Sequence, residues 1–301
     1  MITIIIPTFN AQNYMPKLLD AIQGQSLKEY ELLIIDSSSK DKTVEISQKY
    51  TDNVVVIPQS EFDHGGTRTK AAKIAKGDIL IFLTQDALPY DDMTLENILK
   101  VFDDKKVAAA YGRQLSYEDT TLFGKHLRMF NYKETSYIRD KNDIKTYGLK
   151  TAFLSDSFAA YRKSALERIR WFKNGLILGE DTYAGAKMVL DGDKIAYVSD
   201  AKVYHSHSYS LIQEFKRYFD IGVFHHDESW ILSSFGKAEG EGLKYIKSEL
   251  TYLFGHGAWY LLPEFFARNG MKYIGYKMGQ KHEKIPLWLI KKLSMHHRWW
   301  K

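Results

Sequence analysis

The strongest constraint on the fold of this chain is a regular switch between two hydrophobic periods over its first hundred residues. Ile2–Ile6 is a continuous β-branched run, which predicts a strand buried on both faces. Residues 12–25 then place Tyr14, Leu18, Leu19 and Ile22 at helical spacing. The switch repeats. Glu31–Asp36 predicts a second strand, and Asp41–Tyr50 a helix with Asp41 near its start as a cap. Val54–Ile57 predicts a third strand, Thr67–Lys76 a helix and Ile79–Leu83 a fourth strand. Strands and helices alternating through short loops require a parallel sheet covered by helices. Such sheets bind ligands beyond the carboxyl ends of their strands. Pro7–Asn10, Asp36–Ser39 and Thr84–Asp86 are therefore candidate site segments.

The pattern loosens after residue 105. Val107–Tyr111 reads as another strand, and residues 115–150 as polar, aromatic and loop-rich. A segment Phe153–Tyr161, a helix near 163–170, a helix from Asp181 to Leu190 and short strands at 195–198 and 201–204 complete this body. From residue 210 the spacing is helical, through Leu211, Phe215, Tyr218 and Phe219, then over 241–266 and 286–297. The expected boundary lies near 206–212, and no repeat or low-complexity tract interrupts the chain.

Composition narrows the class. With 45% hydrophobic and 26% charged residues the chain buries a core, which excludes wholesale disorder. It has no cysteine, which excludes disulfide frameworks, cysteine zinc fingers, iron–sulfur sites and a thiol nucleophile. Its net charge of +5 lies entirely in residues 207–301, which carry 14 basic and 9 acidic side chains. That stretch also holds five of the six tryptophans and seven of the ten histidines. A neutral body with this tail is a poor electrostatic footprint for nucleic acid. Met1–Pro7 lacks the charged start of a signal peptide. Leu250–Pro263, fourteen uncharged residues, is short of the roughly 20 that a spanning helix needs. These features read as a chain kept in the cytoplasm.

Several strand ends carry chemistry, each with a plainer alternative. Asp36 could accept a hydrogen bond from the imide N–H of uracil or thymine, or simply order the serine-rich turn behind it. Asp86 could hold Mg²⁺ or Mn²⁺ against a diphosphate, which needs few protein carboxylates, or act as a turn aspartate before Pro89. Phe62-Asp-His-Gly-Gly-Thr-Arg68 is expected to place two glycines before a helix and Arg68 in its first turn, where phosphate is favoured. Glu180-Asp181 opens a helix, a common place for acidic residues of no catalytic role. His205-Ser-His207 puts two imidazoles on one face, for a metal or for solvent. The absence of G-x-x-x-x-G-K-[ST] and G-x-G-x-x-G argues against a P-loop or a dinucleotide fold.

In order, the segments Ile4-Ile-Ile-Pro-Thr-Phe-Asn10, Leu32-Leu-Ile-Ile-Asp-Ser37 with Asp41-Lys-Thr43, and Gly65-Gly-Thr-Arg68 resemble the inverting family 2 glycosyltransferases of the GT-A fold. The match continues through Phe82-Leu-Thr-Gln-Asp86, Ala160-Tyr-Arg-Lys-Ser-Ala165, Gly179-Glu-Asp181 and Ala201-Lys-Val-Tyr-His205. FDHGGTR, LTQDALP and VYHSHSYS look like the bacterial rhamnosyltransferase branch, which builds surface polysaccharides from dTDP-L-rhamnose. The resemblance implies an α/β fold: a mostly parallel, Rossmann-like central sheet flanked by helices, with a C-terminal helical extension. The catalytic domain would span 1–208, its nucleotide-sugar half about 1–112 and its acceptor half about 113–208, with a helical region at 209–301. Pro7, Thr8, Asn10, Thr84 and Gln85 would line the nucleotide, Asp36 would pair with the base, and Arg68 would face the diphosphate. Asp86 and His205 would hold Mg²⁺ or Mn²⁺, and Asp181 would be the general base. Glu180, Asp156 and His207 would lie on the acceptor side. Two departures stand out: the family's D-x-D reads Thr84-Gln-Asp86, and its Arg-Asn pair reads Arg68-Thr69.

The implied acceptor is a saccharide, built on a polyprenyl-diphosphate lipid, at the inner face of the cell membrane. The tail Pro286–Lys301 and the aromatics of Leu250–Phe266 fit an interfacial segment on an anionic leaflet. A buried helical packing or homo-oligomerisation unit is the alternative. Rival functions are a family 2 transferase with a UDP-hexose or UDP-N-acetylhexosamine donor, and a non-catalytic nucleotide-sugar-binding protein. Sugar-phosphate nucleotidyl transfer is disfavoured, because Pro7-Thr-Phe-Asn10 is not a G-x-G-x-R segment.

Overall fold

The computed structural model describes residues 1–236 and 239–301. They form two units: Met1–Tyr117 with Tyr132–Gly175 and Glu180–His205, and Glu118–Asn131 with Leu176–Gly179 and Ser206–Lys301.

The first unit is built on one sheet. Its strands are β1 (Ile2–Thr8), β2 (Glu31–Asp36), β3 (Val54–Val56), β4 (Ile79–Leu83), β5 (Leu88–Pro89), β6 (Val107–Leu115), β7 (Tyr137–Arg139), β8 (Phe158–Arg162) and β9 (Lys194–Tyr204). They run in the order β3-β2-β1-β4-β8-β6-β9-β5, with β7 on β9. β3, β2, β1 and β4 are parallel, β8 is antiparallel to both neighbours, and β6 and β9 are parallel again. The apolar runs are continuous because both faces are covered. Ile4, Ile6, Ile34, Ile81 and Leu83 pack with Met15, Leu18, Leu19 and Ile22 of the helix Met15–Gln23. On the opposite face the Phe82 ring meets Tyr161 at 5.8 Å and Phe172 at 5.5 Å.

Four expectations are corrected. The helix expected over Asp41–Tyr50 is only Thr43–Ser47, with Asp41 Oδ1 accepting from the Thr43 N–H at 3.0 Å. The helix expected from Thr67 starts at His64, because Asp63 caps it, Oδ1 accepting from Gly66 N–H at 2.6 Å. The two short strands near 195–204 are one strand, β9, whose pairing with β6 shifts register after Gly112. Residues 115–150 contain the helix Leu122–Asn131, β7 and the short helix Ile144–Tyr147. Here aromatic packing replaces an aliphatic period: Tyr111 contacts Phe153 and Tyr197 at 5.3 and 5.0 Å between ring centres.

The second unit is helical: Leu122–Asn131, Leu211–Asp227, Ser229–Phe235, Glu239–Gly255, Leu262–Gly279 and Leu287–Leu293. Ser210 and Gln213 form a capping box at the start of Leu211–Asp227. Leu211–Asp227 and Leu262–Gly279 touch through glycines: a Cβ on Gly279 would meet Phe219 O at 2.0 Å, and one on Gly222 would meet Tyr276 O at 2.3 Å. Among the described residues no helix is long and apolar enough to cross a membrane.

Candidate active site

The β1–β4 pairing ends at Ile5 opposite Phe82, whereas β1 stays paired with β2 to Thr8 opposite Asp36. The sheet therefore splits at its carboxyl edge, where a ligand crevice is expected. Pro7 fits here because its missing N–H removes no bond to β4. Across the split, Gln85 Oε1 accepts from Phe9 N–H at 2.9 Å, tying the β4 end to the β1 end.

On the β2 side, Thr8, Asn10 and Asp36 form one rim. Thr8 Oγ1 donates to Asp36 Oδ2 at 2.9 Å, and Ser39 N–H donates to Oδ1 at 2.8 Å. Ser39 Oγ also donates to Oδ2, at 2.5 Å. Asn10 N–H donates to Ser39 Oγ, and Asn10 Oδ1 accepts from Lys40 N–H. Asn10 and Ser38 are left-handed, with φ of 49° and 59°. That conformation costs an L-residue about 1–2 kcal/mol and is held here by these bonds. Asp36, expected to face the base, is fully buried, with its oxygens accepting from Thr8 and Ser39. Its carboxylate orders the turn that presents the rim.

Arg68, expected to face the diphosphate, has acidic partners. It lies one turn into its helix and is 7% exposed, with Nε 3.0 Å from Asp156 Oδ2 and an Nη 2.9 Å from a Glu180 oxygen. A buried cation of this kind is held in place by its carboxylate partners. Gly65 explains the close seating, since a Cβ there would meet Lys173 O at 2.0 Å. Thr69, in place of the family's asparagine, donates to Phe172 O at 3.2 Å.

Arg68 gathers a carboxylate cluster. Asp156 N–H donates to Asp181 Oδ2 at 3.3 Å, and Thr182 N–H donates to Asp181 Oδ1 at 2.6 Å. Tyr161 donates to Asp156 Oδ1 at 2.5 Å. Burial raises the Asp156 carboxyl to about 8, against the pull of Arg68 and with the repulsion of Asp181 and Glu180. Burial, then the charge of Glu180, pushes Asp181 up to about 6, while its N–H partners and Arg68 pull it down. One guanidinium among three carboxylates leaves a group able to take up a proton near neutral pH.

Asp86 and His205 meet at the β4 and β9 ends, His205 Nε2 lying 3.5 Å from Asp86 Oδ2. Gln114 Oε1 accepts from His205 Nδ1 at 2.9 Å, so Nδ1 carries the proton and Nε2 offers its lone pair. Gln114 Nε2 donates in turn to Ser155 Oγ at 2.8 Å, one residue before Asp156. Thr84 N–H donates to Ser157 O at 3.2 Å, so this end of β4 abuts the start of β8. Thr84 Oγ1 is buried with no hydrogen-bond partner among the described residues. His207 belongs to the second unit, where its ring stacks on Tyr209 at 5.5 Å.

Tyr161 and Gln114 were not singled out by the sequence, whereas Ser39 closes the candidate segment Asp36–Ser39. Tyr161 lies in a quoted segment, but its role depends on the partner that β8 alternation gives it. Gln114 ends a strand that reads as stopping at Tyr111.

Residues 3–170 match the family described as Glycosyl transferase family 2. The O-antigen chain rhamnosyltransferase WbaN of Salmonella anatum is 44% identical over 300 residues, covering 99% of this chain and 95% of that protein. The O-antigen chain rhamnosyltransferase RfbN of Salmonella typhimurium is 42% identical over 301 residues, covering 99% and 96%. Among solved structures, the mannosyltransferase PcManGT of Pyrobaculum calidifontis, in complex with GDP-Man and Mn²⁺, superposes with a TM-score of 0.67 at 18% identity, covering 94% of this chain and 87% of that one. Staphylococcus aureus TarS in complex with UDP-GlcNAc superposes with a TM-score of 0.55 at 17% identity, covering 94% and 91%. With this fold, a split sheet edge and full-length similarity, the chain belongs to glycosyl transferase family 2, and it is a glycosyltransferase.

Proposed function

We propose that this glycosyltransferase moves L-rhamnose from dTDP-L-rhamnose to a lipid-linked saccharide, inverting the anomeric centre, with Asp181 as general base. The observation that carries the mechanism is the Asp181 carboxylate, raised to about 6 and fixed by two backbone N–H groups. The acceptor hydroxyl oxygen would bond to C1 as the C1–O bond to the diphosphate breaks, and its proton would pass to Asp181. Positioned proton transfer of this kind contributes about 10²–10⁴-fold.

Asp86 and His205 fit a divalent ion, with a carboxylate oxygen and an oriented imidazole nitrogen 3.5 Å apart. Bound Mg²⁺ or Mn²⁺ would stabilise negative charge on the leaving diphosphate. Pro7, Thr8, Asn10, Thr84 and Gln85 would line the nucleotide, the Thr84 hydroxyl standing where the family carries its first aspartate. Arg68 would act as a positioning residue, balancing Asp156 and Glu180 so that Asp181 keeps its place. Asp156, Glu180 and His207 remain on the acceptor side in this reading. The catalytic domain would be 1–208, with 209–301 as a helical, membrane-interfacial region.

The second unit supports membrane contact through an inverted polarity. Helix Glu239–Gly255 buries Glu249 and exposes Leu243 (71%) and Phe254 (54%). Trp259, Tyr260, Phe266 and Trp288 are exposed as well, Trp288 with Lys292 over its ring at 5.3 Å. Exposed apolar surface of this extent marks an interaction site, and its positive charge suits an anionic leaflet at the inner face of the cell membrane.

The donor is tested by calorimetry in Mn²⁺ with dTDP-rhamnose, UDP-glucose, UDP-galactose and UDP-N-acetylglucosamine. Tight binding of dTDP-rhamnose is expected. Tight binding of a UDP-sugar with none of dTDP-rhamnose would overturn the donor assignment and favour the UDP-hexose reading.

A further inference from the structure

Seven of the ten histidines fall after residue 206, and apart from His207 the sugar-transfer reading gives them no role. Two come together in the second unit, remote in sequence from the catalytic carboxylates. Helix Leu211–Asp227 ends on His226-Asp227, and the turn His282–Lys284 follows helix Leu262–Gly279. The glycine contacts between these helices hold their ends together. The donor atoms of His226, Asp227 and His282 all lie within 4.8 Å of one another.

We propose that His226, Asp227 and His282 bind a divalent transition-metal ion of the zinc class, clipping the turn His282–Lys284 to the end of helix Leu211–Asp227. His282 is buried, and its Nδ1 lies 3.0 Å from Gly279 O. A carbonyl oxygen only accepts, so Nδ1 carries the proton and Nε2 presents a lone pair. That Nε2 is 3.6 Å from Asp227 Oδ1, too long for a hydrogen bond. His226 Nδ1 donates to the same oxygen at 3.1 Å, a proton it would give up on binding a metal, and its Nε2 is 3.9 Å from Glu283 Oε2. With metal bonds of about 2.0–2.1 Å, the edge of a tetrahedral site is about 3.4 Å, which these two separations bracket. Each imidazole thus turns one nitrogen toward Asp227, and the other nitrogen of His282 is held by Gly279 O. Such outer partners orient ligating histidines.

The ligand chemistry selects the ion. Two imidazoles and one carboxylate suit Zn²⁺, Ni²⁺ or Cu²⁺, whereas Mg²⁺ and Ca²⁺ take oxygen ligands. The end of a seventeen-residue helix also favours positive charge. Trp300 packs on the His282 ring at 5.5 Å, so the clip would extend to the end of the chain. Such a site has three protein ligands with a fourth position left to water, and it shares no ligand with the Asp86–His205 pair.

The test uses the untagged full-length chain carrying Asp86→Ala and His205→Ala, so that the sugar-nucleotide centre contributes no ligands. Zn²⁺ is titrated by calorimetry, and metal content is measured after desalting. One Zn²⁺ per chain is expected, undisturbed by millimolar Mg²⁺, with a higher melting temperature. Adding His226→Gln and His282→Gln should weaken binding at least about 100-fold, since outer-shell partners alone are worth about 10–100-fold. No Zn²⁺ binding with both histidines intact, or equal binding in the Gln variant, would overturn the proposal. Should the Gln variant unfold, Co²⁺ absorption in the histidine-intact chain decides. Intense tetrahedral bands support the site, and a weak spectrum like that of aqueous Co²⁺ contradicts it.

Discussion

Asp181 and Asp156 share one cluster but answer to different neighbours. Asp181 takes two backbone N–H bonds and can accept a proton; Asp156 is tied to Arg68 and Tyr161. Replacing Asp181 by Asn keeps the shape and removes the base. Turnover should fall about 10²–10⁴-fold with donor affinity unchanged, as steady-state rates and calorimetry would show; near-full turnover would remove Asp181 from the role. The raised carboxyls also set a pH dependence. Their neutral forms contribute stability below the unfolded value of 3.8, and this is lost as pH rises through about 6 for Asp181 and about 8 for Asp156. Activity runs the other way, because the base must be ionised. The acid limb of kcat/KM should therefore fall near pH 6, as a property of the whole cluster. A flat profile down to about pH 5 would contradict that assignment.

At the scale of elements, close approach decides what is tolerated. A Cβ on Gly112 would meet Phe158 Cδ1 at 2.3 Å and Ala201 O at 2.5 Å, where β6 changes its pairing with β9. Gly112→Ala should destabilise by about 1–3 kcal/mol through overpacking, seen as a lower denaturation midpoint. The parallel half of the sheet was legible because β1, β2 and β4 are buried on both faces and so read as unbroken apolar runs. Beyond residue 105 the start of β6, most of β8 and the helices Lys163–Arg168 and Glu180–Leu190 were still legible, whereas β7 and the end of β6 were not, because long-range partners that leave no period stabilise them. The candidate site follows the same division. Asp36, Asp86, Asp181 and His205 stand at strand or helix ends that motifs mark. The burial of Arg68 follows from a tertiary contact at Gly65, and the partnership of Gln114 with His205 from the β6–β9 register.

For the molecule as a whole, the +5 charge separates into a neutral sheet-bearing body and a basic, aromatic helical region. If that region rests on anionic lipid, the protein should sediment with phosphatidylserine vesicles. Trp259→Ser with Phe266→Ser should release it, as should added salt, which screens the lysine contribution. Unchanged sedimentation of the double variant would assign those aromatics to another partner. Sugar transfer itself remains the central claim. Its most direct test is nuclear magnetic resonance of the product formed from dTDP-L-rhamnose and a saccharide acceptor. A rhamnoside of anomeric configuration opposite to that of the donor is predicted. A retained configuration, or a product from a UDP-sugar and none from dTDP-L-rhamnose, would contradict it.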